Sequence, residues 1–374
     1  MSLEKTRAAF HHGIQQGWHS GGQLYVSHQG QPVADLALGD IGPQGRALTV
    51  DDRMIWLSST KPIAAVAIAL LWEQGELDLD DPIVRFLPAF GQHGKDRITL
   101  RHVLTHTGGI RLLNLGWPKA TWEETIEQVC RMRPEPRWIP GQKAGYHLAS
   151  SWFILGAVIE AIRGESFSAA IEQSIFQPLE MNRCSIGLSS EQFASISDSI
   201  VPMHNTEGEA PRPYPWHKEP WVTRPNPGAN GLGPLRELGR FYDMLLRRGR
   251  LADGRAQLSP QSVEALTTPH RVGLFDYTFQ FPLDWGLGFI INSRHQAPED
   301  SEADEVVPYG YGPHASRRTF GHSGRRSSTA FADPEHRLVV AFALNGTPSE
   351  EDHRRRIAEL TAAIYQDLEL APSS

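Results

Sequence analysis

Ser58 and Lys61 stand three residues apart in Ser58-Ser59-Thr60-Lys61, and Pro62 then leads into an apolar run over residues 63–72. The pattern predicts a helix over 61–75 with Ser58 at its N-terminus and Lys61 one turn later on the same face. A serine hydroxyl is a weak nucleophile at neutral pH and needs a nearby base. A free lysine, with a pKa of about 10.4, is protonated at pH 7, and making it neutral there costs about 4 kcal/mol. Burial at the foot of a cleft supplies such a shift, and so does a second cation. The backbone N–H of Ser58, at the helix N-terminus, is a natural donor to an oxyanion. The spacing alone is weak, because Ser2-Leu3-Glu4-Lys5 repeats it in the N-terminal tail. Context separates the two: a lysine facing an apolar core is costly unless it is paired or functional.

An activated serine needs a proton shuttle and a second oxyanion donor. Tyr146 ends the turn-rich loop Trp138-Ile139-Pro140-Gly141-Gln142-Lys143-Ala144-Gly145, just before a helical run from Ser151. Its phenol could take the Ser58 proton or pass it to a leaving group, given cations that lower its pKa. Phe320-Gly321-His322-Ser323-Gly324-Arg325 precedes a strand pair, and its small residues let a strand edge approach a substrate closely. His322 could donate a hydrogen bond there or raise the local positive potential. This segment fails the G-x-S-x-G spacing, which disfavours an α/β-hydrolase elbow. His102 and His106 have the i,i+4 spacing of helical zinc ligands, but no Glu follows His102 and no third ligand is evident. They are read as the end of a helix closed by Gly108 and Gly109, and neither a metal nor a cofactor is expected.

These residues need a frame. Residues 23–28 and 32–38 flank Gln29-Gly30-Gln31, and residues 328–332 and 338–344 flank Asp333-Pro334-Glu335-His336. Both read as hairpins. Helical spacing follows over 350–369 and is also seen at 99–106, 121–132, 150–163, 166–175 and 234–248. The expected fold is α/β (α+β): one antiparallel sheet built from both termini and flanked by helices (8–75 and 235–370), with an inserted, mostly helical region (76–234) and the active site in the cleft between them. Residues 203–230, rich in Pro, Trp and Asn, are read as a pocket wall, and the acidic and then Gly/Tyr-rich stretch 296–313 as a mobile loop. Trp117, Trp138, Tyr214, Trp216 and Trp221 are candidates to line an apolar acyl pocket.

The chain has 374 residues, 40% apolar and 21% charged, with a formal net charge of −7. That suits a large globular core and argues against nucleic acid as a partner. Cys130 and Cys184 are read as two buried thiols in a reducing compartment. No apolar run is long enough to span a bilayer, and no signal peptide is evident at the start, so a cytoplasmic location is expected.

In order along the chain, Ser58-x-x-Lys61, Leu77-Asp78-Leu79-Asp80-Asp81-Pro82-Ile83, the 98–109 segment, Pro140-Gly141 before Tyr146, Gly231-Leu232-Gly233, Trp285-Gly286-Leu287-Gly288-Phe289 and Gly321-His322-Ser323-Gly324 resemble the serine β-lactamase and penicillin-binding-protein superfamily. The resemblance runs from about residue 8 to residue 366 and is strongest to the branch holding class C β-lactamases, family VIII esterases and D-aminopeptidases. It implies Ser58 as the acyl-accepting nucleophile, with Lys61 and Tyr146 managing its proton. It also implies His322-Ser323-Gly324 as the far wall of the cleft, with the Arg325 backbone as second oxyanion donor. The chain departs from the family at Tyr146-His147-Leu148, where the third residue is usually Asn, and at His322, where β-lactamases carry Lys. Leu148 cannot offer the hydrogen bonds of an Asn side chain to a substrate amide or to the lysine. The resemblance with these departures implies a carboxylesterase acting on small or activated esters. The competing readings are a β-lactamase or D-amino-acid peptidase or amidase, and a catalytically inactive binding module. The substrate is a small-molecule ester or amide, and the oligomeric state is not legible in the sequence.

Overall fold

The computed structural model describes residues 2–42, 45–111, 115–298 and 307–371; residues 299–306, inside the stretch read as a mobile loop, lie outside them. A six-stranded antiparallel sheet runs in the order Ile290–Ile291, Phe320–Gly324, Ser328–Asp333, Leu338–Leu344, Gly21–His28, Gln31–Gly39. Both expected hairpins are present, and the two termini meet where Gly22–His28 pairs with Leu338–Leu344.

Alternation along Leu338–Leu344 explains the layers. Leu338, Val340, Phe342 and Leu344 pack with Phe10, Ile357, Leu360 and Ile364 of the terminal helices Glu4–Gln15 and Glu350–Asp367. Val339, Ala341 and Ala343 belong to the other core, with Leu238, Phe241 and Leu245 of the helix Leu235–Leu246. Small residues on that face let the helix lie close. At Gly239 an added Cβ would stand 2.1 Å from Tyr25 Cδ1, so the helix rests directly on the ring. The Tyr25 hydroxyl donates to Asp243 one turn along, at 3.0 Å.

Beneath this face runs the helix Lys61–Glu73, buried at every position from Lys61 to Leu71. A helix apolar all round belongs at the centre of a large core. The helix read at 99–106 is shorter, Leu100–Leu104, because His106 takes a φ of 56°. The helix at 166–175 spans Phe167–Ile171 and widens into a π turn over Glu172–Phe176. Cys130 and Cys184 are free and buried, and no helix among the described residues is long and apolar enough to cross a membrane.

Gly239→Val should cost about 1–3 kcal/mol by overpacking the Tyr25 face. Urea denaturation measures this, and an unchanged midpoint would show that the helix can lift off the sheet without cost.

Candidate active site

Ser58 opens a 3₁₀ turn, Ser58–Thr60, that joins the strand Met54–Leu57 to the buried helix. Leu57 is held at φ 50° and ψ −136°, a region that a branched side chain rarely enters. The surroundings fix it there. Thr60 Oγ1 donates to the Leu57 carbonyl at 2.6 Å and accepts the Gly231 N–H at 2.8 Å. Ser59 Oγ bonds to the His322 carbonyl at 3.1 Å and to Ser328 Oγ at 2.9 Å, and Ser328 Oγ donates to the Trp56 carbonyl at 2.5 Å. The strand Phe320–Gly324 can come this close because Gly324 lacks a Cβ, which would sit 2.5 Å from the Trp56 carbonyl oxygen and 2.8 Å from Leu57 Cβ.

Lys61 is wholly buried, and its Nζ meets three oxygens: Ser58 Oγ at 3.1 Å, the Leu148 carbonyl at 2.8 Å and the Gly228 carbonyl at 2.9 Å. Burial holds its pKa well below the ordinary lysine value. No carboxylate offsets that penalty, since all three partners are neutral. When the amine is neutral, its two hydrogens suit the two carbonyls and leave the lone pair for the Ser58 hydroxyl. The ring of Tyr146 lies 5.0 Å from Nζ and that of Trp152 lies 5.4 Å away, and the amine between them is closed to water. The lost Asn side chain at 148 is thus compensated in one respect. The Leu148 main chain bonds to the lysine, while the residue as a whole is 56% exposed at the rim.

Tyr146 is buried beside Ser58, and its hydroxyl has no hydrogen-bond partner of good geometry among the described residues. Burial drives its pKa well above the usual phenol value. This outweighs the opposing influence of the Ser58 hydroxyl. The cation-lowered phenol expected from sequence is therefore replaced by a phenol that keeps its proton. His322 also differs from expectation. Its Nδ1 is 2.8 Å from the Ser323 carbonyl, which can only accept, so the proton sits on Nδ1 and the buried, unpartnered Nε2 is an acceptor. Burial pushes its pKa well down, so it adds no positive charge.

The sequence reading missed the anchor of Tyr146. Asp276 is fully buried; its Oδ1 accepts the backbone N–H groups of Tyr146, Thr278 and Phe279 at 3.1, 2.8 and 3.0 Å. Its Oδ2 pairs with Arg271 at 2.7 Å, and Arg271 also donates to the Thr105 carbonyl. Alternation in Leu274-Phe275-Asp276-Tyr277, which points an acid inward between exposed aromatics, was the available signal. His147 and His106 pack behind the tyrosine: His106 Nδ1 accepts the His147 N–H at 2.9 Å, and its ring stacks on Trp152 at 4.8 Å. Burial takes His147 down to about 3, so both rings are neutral packing groups. Among the described residues no group of three or more His, Cys, Asp or Glu is arranged to hold a metal ion.

Ser58, Tyr146 and Arg325 open onto one cavity of ≈ 500 Å³. Its wall includes Leu57, Leu148, Val222, Leu232, Trp117, Trp216 and Trp221, so the 203–230 segment does line it. Two candidate aromatics do not face it. Tyr214 stacks flat behind Trp216 at 3.9 Å, and Trp138 donates to the Thr107 carbonyl outside the cavity. Asn230 lines the wall, but its amide is consumed by the Asn226 N–H and the carbonyls of Trp221 and Arg224.

Asp276→Asn should destabilise the protein by about 3–5 kcal/mol, because Arg271 is left as an unpaired buried charge. Thermal unfolding measures this, and a change under 1 kcal/mol would show that the pair does not support the site.

Comparison with known proteins extends these observations. The Beta-lactamase family model matches residues 6–364. Esterase/beta-lactamase LipL of Mycobacterium tuberculosis is 26% identical over 352 residues, covering 87% of this chain and 76% of that protein. Esterase EstB of Burkholderia gladioli is 32% identical over 187 residues, 45% of this chain and 46% of that one. A penicillin-binding protein homolog from Caulobacter crescentus superposes with a TM-score of 0.75 at 27% identity, covering 97% of both chains. A family VIII carboxylesterase of 24% identity shares the fold with a TM-score of 0.78 over 97% of both chains. With a serine-hydrolase fold over nearly its whole length, the chain belongs to the beta-lactamase family.

Proposed function

We propose that this chain is a carboxylesterase of the family VIII-like, class C β-lactamase-like branch, forming an acyl-enzyme on Ser58 in the cleft between the α/β region (8–75 and 235–370) and the inserted helical region (76–234). The observation that carries the reading is the buried Lys61 amine, 3.1 Å from Ser58 Oγ and otherwise bonded only to main-chain carbonyls.

Neutral Lys61 takes the Ser58 proton as Oγ attacks the ester carbonyl. The backbone N–H groups of Ser58 and Arg325 stabilise the resulting oxyanion. Tyr146, protonated because it is buried, gives its proton to the departing alkoxide and regains one from the Lys61 ammonium. Water then attacks the acyl carbonyl by the reverse proton path, releasing the acid and restoring Ser58. The preference for esters is supported by the wall chemistry. Leu148 offers no side-chain amide, the Asn230 amide is already consumed, and His322 presents a neutral acceptor where a lysine ammonium would meet a β-lactam. Without those three partners the site gains less from an amide-bearing substrate, for which Asn226 is the remaining side-chain amide among the described lining residues.

The protein should turn over p-nitrophenyl butyrate, with an acyl adduct on Ser58 by mass spectrometry, and should cleave nitrocefin and D-Ala-p-nitroanilide more slowly. Ser58→Ala should lower ester turnover by at least about a thousandfold. Full activity in that variant would end the nucleophile assignment, and faster amide than ester cleavage would reverse the substrate order.

A further inference from the structure

Arg325 is the one charged residue among the described residues lining the cavity. The arginine beside it is committed elsewhere: Arg326 donates to Glu207 at 2.9 Å and to the Pro348 carbonyl at 2.6 Å. Arg325 makes no ion pair among the described residues. Its guanidinium instead lies over the Trp216 ring, 5.9 Å from the centroid. That ring is itself fixed, stacked on Tyr214 at 2° between planes, and the Tyr214 hydroxyl bonds to Thr347 at 3.1 Å. An arginine resting on a rigid indole is pre-organised, and its N–H edge stays free for a planar oxyanion. With Trp216, Leu57 and Val222 lining the same cavity, the site combines apolar walls with a single cation.

Tyr146 and Arg325 belong to separate ring clusters on the cavity wall. Tyr146 packs against the rings of Phe279, Trp285 and His322, whereas Trp216 packs against Tyr214 and Arg325. In the proposed acyl transfer a leaving group protonated by Tyr146 departs beside that ring, which leaves the acyl chain the wall formed by Trp216 and Arg325. We propose that Arg325 is a specificity-determining residue that selects esters whose acyl chain carries a carboxylate beyond an apolar spacer, that is, monoesters of dicarboxylic acids. This rests on the acyl-transfer reading above. The chemistry is unchanged: water adds across the acyl–oxygen bond, giving the dicarboxylate and the free alcohol.

The test compares mono-p-nitrophenyl adipate with p-nitrophenyl hexanoate, which share the leaving group and chain length. The ratio of their kcat/KM values should fall about fivefold in Arg325→Gln, chiefly through KM, as for the loss of a solvent-accessible ion pair. Arg325→Lys should keep part of the preference. About 0.5 M NaCl should lower the ratio in the parent protein and leave it unmoved in Arg325→Gln. An equal ratio in the parent and Arg325→Gln proteins would overturn the assignment. If the parent protein cleaves neither ester, the esterase reading fails, and monomethyl adipate binding to Ser58→Ala, followed by tryptophan fluorescence, decides the point separately. Weaker binding in the double variant Ser58→Ala/Arg325→Gln would uphold the role of Arg325, and equal binding would refute it.

Discussion

The site depends on one unfavourable act of burial: the amine of Lys61 has no access to water and no carboxylate for company. Charged, it would suffer the full desolvation penalty against three neutral acceptors. Neutral, it satisfies the carbonyls of Leu148 and Gly228 with its two hydrogens and keeps a lone pair for Ser58. The surrounding protein is built to make that choice. The helix Lys61–Glu73 is apolar on every side and fixes the depth of the lysine. Trp152 donates to the Lys61 carbonyl and covers the amine with its ring. Gly228 brings its carbonyl to the amine while leaving room for Trp152, whose Cβ would stand 3.0 Å from any Cβ added there.

Around this lysine the protein spends rigidity on position. Leu57 is strained and pinned through Thr60, Ser59 and Ser328, so the serine turn is tied to the strand that forms the opposite wall. Asp276 holds Tyr146 by its main chain, and Arg271 neutralises the acid in turn. The phenol and the amine then have complementary states in the proposed acyl transfer. Burial disfavours the charged form of each, so it favours a neutral base and a neutral acid side by side.

Much of this was legible in the sequence because it is carried by periodicity and by side-chain type. Alternating residues marked both hairpins, and an unbroken apolar run marked the central helix. Serine, lysine and tyrosine are named by their chemistry wherever they fall. What stayed hidden is carried by main chain and by depth. Leu148 looked like a lost partner for the lysine, since a side chain is visible in sequence and a carbonyl is not. Tyr146 was expected to respond to nearby cations, and His322 to donate a hydrogen bond or raise the local positive potential. Burial outweighs charge at Tyr146 and keeps His322 neutral, and burial is set by packing from segments more than a hundred residues away. Trp216 and Tyr214 were equal candidates for the pocket wall, and only the stacking order separates the one that faces it from the one behind.

The central claim, that burial favours the neutral form of Lys61 beside Ser58, is tested most directly by ¹⁵Nζ NMR titration of lysine side chains in the free protein, with Lys61 assigned by Lys61→Met. The account predicts that Lys61 loses its proton in a step well below the ordinary value of about 10.5, apart from the exposed lysines. An ammonium signal for Lys61 that persists through pH 10 would contradict it.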